Sequence, residues 1–577
     1  MTFPRPFDAE KNSAQTTKTI RKTALFPELF FYLEFRMTIS VFHHTITDMN
    51  SVKFFFVFFI LTASALFAGT AIRTPQTSGE PHINGPSVIG VTPGNSFLYK
   101  IPVSGDSPIK ITVTNLPDGV TLRNGSVLEG KISQPGDYRI KVAASDATAS
   151  VSRILTIKVG NEIALTPPMG WNSWYCFGES VSDEKIRAVA DAFVEQNLID
   201  YGWSYVNIDD CWQGERLKEA PYALTGNEKF PDMKALCDYV HSKGLRIGIY
   251  HSPWIGTYAG FRGGSSDSET GSDPSYAEPP GRRLQPGQIF SRYPGVHTHN
   301  ADRVGKYWLF DEDLKAIADW GFDYIKVDWH PNDVPTARRM HNGVRQSGRD
   351  IVLSFSNKAF LKDIPELSKY ANLWRTSGDI TDLWISLSRI SRDLPNWVPF
   401  TSSGKYNDPD MLQVGNLGKP NTQSETFRPT GLSREEQYFQ VSLWVIAAAP
   451  LILSCDVSSL DDFTKGLLTN TEVLAVHQSY PVFPPQVRKR SRTTHIITRE
   501  TENGTAVCVL NYSEQKKKVT VPFHEWNIGS PGKSGNSQKT ATVRDLWRQR
   551  NLSPDRMTDD GFTVEIAGHG GELFLIR

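Results

Sequence analysis

Between Thr166 and about residue 475, short apolar runs alternate with amphipathic stretches of helical period, and this alternation constrains the fold more than any other feature. Tyr205-Val-Asn-Ile208, Arg246-Ile-Gly-Ile-Tyr250, Tyr324-Ile-Lys-Val327, Ile351-Val-Leu-Ser354 and Pro450-Leu-Ile-Leu-Ser454 read as strands. Asp183 to Gln196, Met233 to Lys243, Asp311 to Trp320 and Thr336 to Ser347 read as the helices between them. Strands separated by helices run parallel, because each crossover returns the chain to the same end of the sheet. Roughly 300 residues of such units suit a closed (β/α)8 barrel. A doubly wound sheet is the alternative, weakened because no G-x-G-x-x-G or P-loop follows any strand.

The flanks have a different rhythm. Ser96 to Ile101, Ile109 to Val113, Tyr138 to Val142 and Ser152 to Val159 alternate with period two, with Leu116-Pro-Asp-Gly119 and Gln134-Pro-Gly-Asp137 as turns. Residues 81–160 therefore read as a small β-sandwich; it resembles immunoglobulin-like modules and, having no candidate active-site cluster, is expected to be a spacer or docking module. Beyond the barrel, assigned to 164–480, five runs between Thr493 and Ile576 read as strands of a C-terminal antiparallel β-sandwich over 481–577. Residues 1–71 read as a leader: Lys53 precedes the apolar run Phe54 to Phe67, and Gly69-Thr-Ala71 ends it like a cleavage site. The run falls short of the roughly 20 residues of a membrane span. The expectation is a secretory signal over Met49–Ala71, with Met49 as the true start and a secreted or periplasmic mature protein without a stable membrane anchor.

Composition narrows the partners. Lys+Arg and Asp+Glu are both 62, so no cationic field exists to hold nucleic acid. Five cysteines in 577 residues are too few and too scattered for a disulfide framework or a structural zinc site. No cofactor or metal is expected.

Catalytic groups of a (β/α) barrel sit just past the strand ends. Here those positions are acidic: Asp209-Asp210, Lys326 and Asp328, Arg375 and Asp379, and Asn407-Asp-Pro-Asp410-Met411. Carboxylates without His or Cys companions indicate either a hard cation or a glycosidase pair. Lys326 and Arg375 would repel a cation, and Trp171, Trp174, Tyr250, Trp329 and Trp374 offer apolar faces at the same ends, which favours the glycosidase. A retaining glycosidase needs an ionised nucleophile and a protonated acid roughly 5–5.5 Å apart. Lys326, sharing strand parity with Asp328, is expected to hold it ionised. Asp379, in a loop beside Trp374, is expected to be partly desolvated and so suited to donate a proton. Asp209 and Asp210 would accept sugar hydroxyls.

The motifs Met169-Gly-Trp-Asn-Ser-Trp174, Ile208-Asp-Asp-Cys-Trp212, Gly244-Leu-Arg-Ile-Gly-Ile-Tyr250, Tyr324-Ile-Lys-Val-Asp328, Trp374-Arg-Thr-Ser-Gly-Asp379, Asn407-Asp-Pro-Asp-Met411 and Ala447-Ala-Ala-Pro-Leu451 stand in an order that resembles glycoside hydrolase family 27. The resemblance covers the barrel and the C-terminal sandwich. It implies an α-galactosidase or α-N-acetylgalactosaminidase with Asp328 as nucleophile and Asp379 as acid/base. It also implies contacts to the terminal sugar from Trp174, Asp209, Asp210, Tyr250, Lys326, Arg375, Asp410 and Met411. Further, it implies a disulfide between Cys176 and Cys211, and it lacks the family's second bridge, because His330 stands two residues after Asp328 where a cysteine is usual. The usual Cys-Glu-Trp run after strand five is replaced by Phe355-Ser-Asn-Lys-Ala359, and Ser356 with Ala359 resembles the α-N-acetylgalactosaminidase pattern. The expected reaction is retaining removal of terminal α-D-galactose. The alternatives are α-N-acetylgalactosamine or β-L-arabinopyranose as the sugar and, in another class, a non-catalytic glycan-binding protein.

Overall fold

The structure, a computed structural model, describes residues 72–76, 79–106, 108–271, 303–418, 426–526, 542–558 and 560–577. The expected signal segment lies outside the described residues. Eight parallel strands form the central sheet: β1 (Met169–Asn172), β2 (Tyr205–Asn207), β3 (Arg246–His251), β4 (Tyr324–Asp328), β5 (Val352–Ser356), β6 (Leu373–Arg375), β7 (Tyr406–Asp408) and β8 (Leu451–Leu453). Neighbours in the chain are neighbours in the sheet, and β8 pairs with β1. The ring closes where Leu412, just past β7, bridges to Leu453 and donates its N–H to Ile452 O at 2.8 Å. This is the barrel, and not the doubly wound sheet, which would leave two edges open.

The helices are α1 (Asp183–Glu195), α2 (Met233–Ser242), α3 (Phe310–Trp320), α4 (Val334–Gln346), α5 (Ile364–Leu367), α6 (Trp384–Asp393), α7 (Arg434–Ile446), α8 (Asp462–Leu468) and α9 (Thr471–His477). Their starts are chemically marked. The side chains of Ser182, Asp232 and Asp333 accept the N–H of Lys185, Ala235 and Thr336, and Ser433 forms a reciprocal capping box with Glu436. Each cap satisfies a donor that the first helical turn leaves without a partner.

The barrel interior is graded. At the strands' N-terminal end Tyr205, Tyr324, Val352, Leu373 and Tyr406 close an apolar plug against Ile163 and Ala164 of the incoming linker. Toward the C-terminal end the enclosed side chains turn polar, with Asn207, Ser354, Ser356 and Arg375 among them. Water is thus excluded below, and the polar groups gather above.

The N-terminal module is a two-sheet sandwich with its own core around Leu128, Ile140 and Ile157. Its strands Val88–Val91, Val120–Arg123 and Val127–Lys131 lacked a readable alternation in the sequence. The module is docked beneath the barrel. Arg246 donates twice to Leu98 O, at 3.0 and 2.9 Å, and Asp350 accepts from the Thr92 N–H and Asn95 Nδ2, both at 2.8 Å. The C-terminal domain pairs six strands in one sheet and three in another around Val507, Val521 and Phe562. It leans on α7, where Trp547 Nε1 donates to Ser442 Oγ at 2.9 Å.

Candidate active site

The register of the parallel strands brings the acidic ends together. Asp328 stands opposite Ser356, and Arg375 opposite Asp408. Two cations organise the carboxylates. Lys326 Nζ lies 2.8 Å from Asp209 Oδ2, with its ammonium 5.3 Å from the Tyr250 ring centre. Arg375 Nη2 lies 2.6 Å from Asp410 Oδ2 and 3.2 Å from Asp379 Oδ1, and its Nη1 donates to Ser356 Oγ at 3.5 Å.

Backbone donors fix the acids further. Asp410 has a φ of 92°, a left-handed conformation that costs a non-glycine residue on the order of 1 kcal/mol. It is held there by a ring of bonds. Its N–H donates to Asp408 Oδ1, its carboxylate accepts the N–H of Met411 and Ile380, all at 2.8 Å, and its carbonyl accepts Trp444 Nε1 at 2.7 Å. Asp210 accepts the N–H of Cys211 and, from the loop after β3, that of Ala259 at 2.9 Å. The Asp209 N–H donates to Ser173 Oγ at 2.9 Å. Among the described residues, three buried atoms of this network have no partner: Asp328 Oδ1, the Tyr250 hydroxyl and Arg375 Nε. Polar atoms buried in this way are costly unless something completes them, and hydroxyls of a bound sugar would.

The electrostatics correct one expectation. Burial pushes the Asp328 carboxyl up to about 7; Lys326 and Arg375 pull it down, while Asp379 and Asp209 push it up. Lys326 lowers the Asp328 carboxyl, as expected, but does not offset the larger effect of burial. Burial also raises Asp210 to about 6 and lifts the Tyr250 phenol well above its ordinary value. Against burial, Asp209 and Asp328 keep the Lys326 ammonium above its usual range.

Other expectations change with side-chain packing. Trp171, Trp329 and Trp374 are fully buried and present no face to an opening; their indole nitrogens bond Cys455 O, Asp333 and Asn407 Oδ1. Trp174, half-buried in the helical turn after β1, is the exception among the tryptophans named. The Asp379 side chain is 68 % exposed, so the desolvation expected beside Trp374 is absent. Ala359 is enclosed, its N–H donating to Arg375 O at 2.9 Å, whereas Ser356 sits beside Asp328. Met411 is buried beside Asp410, its carbonyl accepting Gln440 Nε2 at 3.2 Å.

No bridge joins Cys176 and Cys211, contrary to expectation; both are buried free thiols. Cys176 Sγ donates instead to Ser454 O at 3.3 Å, at the end of β8, while Cys211 follows β2. His251, which borders the acidic cluster in sequence, is structural. It stacks 4.7 Å from Phe310 and bonds Asp313, itself paired with Arg216. Of the Gly/Ser/Pro-rich stretch from Ile255 to Asn300 after β3, residues 272–300 lie outside the described residues. The groups that sequence reasoning missed are Ser173, Ala259 and Trp444. Only Ser173, inside the Met169 to Trp174 motif, carried a signal.

Comparison with known proteins identifies the family. The family described as alpha galactosidase A matches residues 166–278 and 289–479, and its C-terminal beta sandwich domain matches 491–576. An Ig-domain family matches 80–160. Alpha-galactosidase 2 of Arabidopsis thaliana is 31% identical over 402 residues, 68% of this chain and 86% of that one. The alpha-N-acetylgalactosaminidase of Gallus gallus is 30% identical, over 72% of this chain and 94% of its own. A solved protein of Bacteroides fragilis NCTC 9343, 27% identical, superposes with a TM-score of 0.72 over 88% of this chain and 100% of that one. A barrel match over more than half of the sequence makes this chain a glycoside hydrolase of the alpha galactosidase A family, glycoside hydrolase family 27.

Proposed function

We propose that the protein is a retaining exo-glycosidase that removes terminal α-D-galactosyl residues by double displacement. The observation that carries the reading is the pair of carboxylates around Arg375: Asp328, buried with one oxygen unpartnered, and Asp379, exposed and 3.2 Å from the guanidinium. Asp328 attacks the anomeric carbon, and Asp379 protonates the departing glycosidic oxygen. Asp379 then takes a proton from the water that releases the sugar. Asp209, Asp210 and Asp410 accept sugar hydroxyls, Lys326 and Arg375 donate to them, and Trp174 and Met411 offer apolar contact. Arg375 has a second duty. It contacts both Asp410, at 2.6 Å, and Asp379, at 3.2 Å, and so ties the exposed carboxylate to the buried one.

Asp328→Ala and Asp379→Ala are each expected to lower kcat on an aryl α-galactoside by at least about a thousandfold. Full activity in either variant overturns the assignment. Ser356, in place of the usual glutamate, favours a second reading in which an acetamido group occupies that space. Comparing kcat/KM on aryl α-galactoside, α-N-acetylgalactosaminide and β-L-arabinopyranoside decides the sugar. The same reading takes Met49–Ala71 as an export signal, tested by N-terminal sequencing of the protein recovered outside the cytoplasm.

A further inference from the structure

An exposed aromatic ring stands next to this machinery without a part in it. Phe360 is 41 % exposed and its neighbour Leu361 38 %, in the loop after β5. Isolated exposed apolar residues are ordinary, so the placement carries the argument. The residue before Phe360, Ala359, is tied by its N–H to Arg375 O at 2.9 Å, and Arg375 in turn contacts Asp379. From the other side His330, two residues past Asp328, sets its ring 5.6 Å from the Phe360 ring at 60°. The Trp329 N–H donates to Ser356 O at 3.1 Å and joins the same two loops. Lys362 holds its ammonium 5.8 Å from the Phe360 ring centre. Phe360 is therefore coupled to the strand that carries Asp328 and to the strand that leads to Asp379.

We infer that Phe360 is the platform for the leaving group: the pyranose ring next to the terminal galactosyl unit lies on its face, with His330 steadying the ring as a positioning residue. A leaving sugar departs on the side of the proton donor. A flat apolar face there would hold its C–H surface, while its hydroxyls stay in water. Binding energy from such a remote ring is realised as turnover of the correct substrate. The inference rests on the α-galactosidase reading.

The test compares two substrates in the full chain. α-D-Galactosyl fluoride has a leaving group without a ring, and galactosyl-α-1,6-glucose has a pyranose there. Phe360→Ala is expected to lower kcat/KM for the disaccharide about tenfold while leaving the fluoride within twofold, the size of one lost buried ring face. Phe360→Trp, which keeps a flat face, is expected to retain the parent ratio. Parent-like kcat/KM on both substrates in Phe360→Ala, or an equal loss on both, overturns the platform. Failure of the parent protein to release fluoride from the galactosyl donor fails the galactosidase reading itself, a separate and recognisable result.

Discussion

Asp328 is the residue whose environment departs furthest from what its neighbours in sequence suggest. Burial holds its carboxyl near 7, so the folded protein keeps a proton that the unfolded chain releases near 4. Stability is therefore expected to fall as pH rises from about 4 to about 7, the reverse of a salt-bridged aspartate. Asp328→Asn abolishes the ionisation and should leave a protein more stable than the parent at pH 8, on the order of 4 kcal/mol, but not at pH 4. Thermal unfolding at the two pH values checks this. In the proposed double displacement, the same proton must leave before Asp328 attacks. The acid limb of kcat/KM is expected well above the ordinary carboxylate range, and a limb near pH 4 would contradict it. Asp209, Asp210, Asp328, Asp379 and Asp410 could be picked out from strand-end position alone. Their pairing with Lys326 and Arg375 could not, because strand parity says which way a side chain points but not how far it lies from one across the barrel.

At the scale of elements, α1 to α4 were readable to within a few residues, since their apolar stripes and, in α1, α2 and α4, their caps are local signals. Ser433→Ala, which removes the capping box of α7, is expected to cost about 1 kcal/mol and leave kcat/KM unchanged. The inward carboxylate of α3 is a different case. Asp313 is enclosed between Arg216 at 2.7 Å and His251 at 3.0 Å, a buried network that looks on the helix like one more acidic residue. Asp313→Ala strands the Arg216 charge and should cost about 3–5 kcal/mol, read by chemical denaturation. Short strands such as β6 and β7 were visible only through their motifs. Three residues are too few to show a period, and their identity as strands comes from the neighbours that pair with them.

The whole molecule is tied together by contacts distant in sequence. Arg73, just past the expected end of the signal, lies 2.5 Å from Glu435 and 3.4 Å from Glu572, with its guanidinium 3.9 Å from the Tyr438 ring centre. The N-terminal module, expected as a spacer or docking module, lies beneath the apolar plug of the barrel and accepts bonds from the half-buried Arg246. Deleting residues 80–160 is accordingly expected to lower Tm by at least several degrees and promote aggregation, because barrel surface around Tyr205 loses its cover. An unchanged Tm would restore the spacer reading. Period and turn chemistry in the sequence alone determined three domains, a barrel, and the strand ends that carry the acids, because these depend on residues a few positions apart. Tertiary structure decided which acid each cation holds, that Trp171, Trp329 and Trp374 are core, that Cys176 and Cys211 stay free, and that the N-terminal module is docked. Each of these depends on distances between residues that only the closed ring of strands brings together.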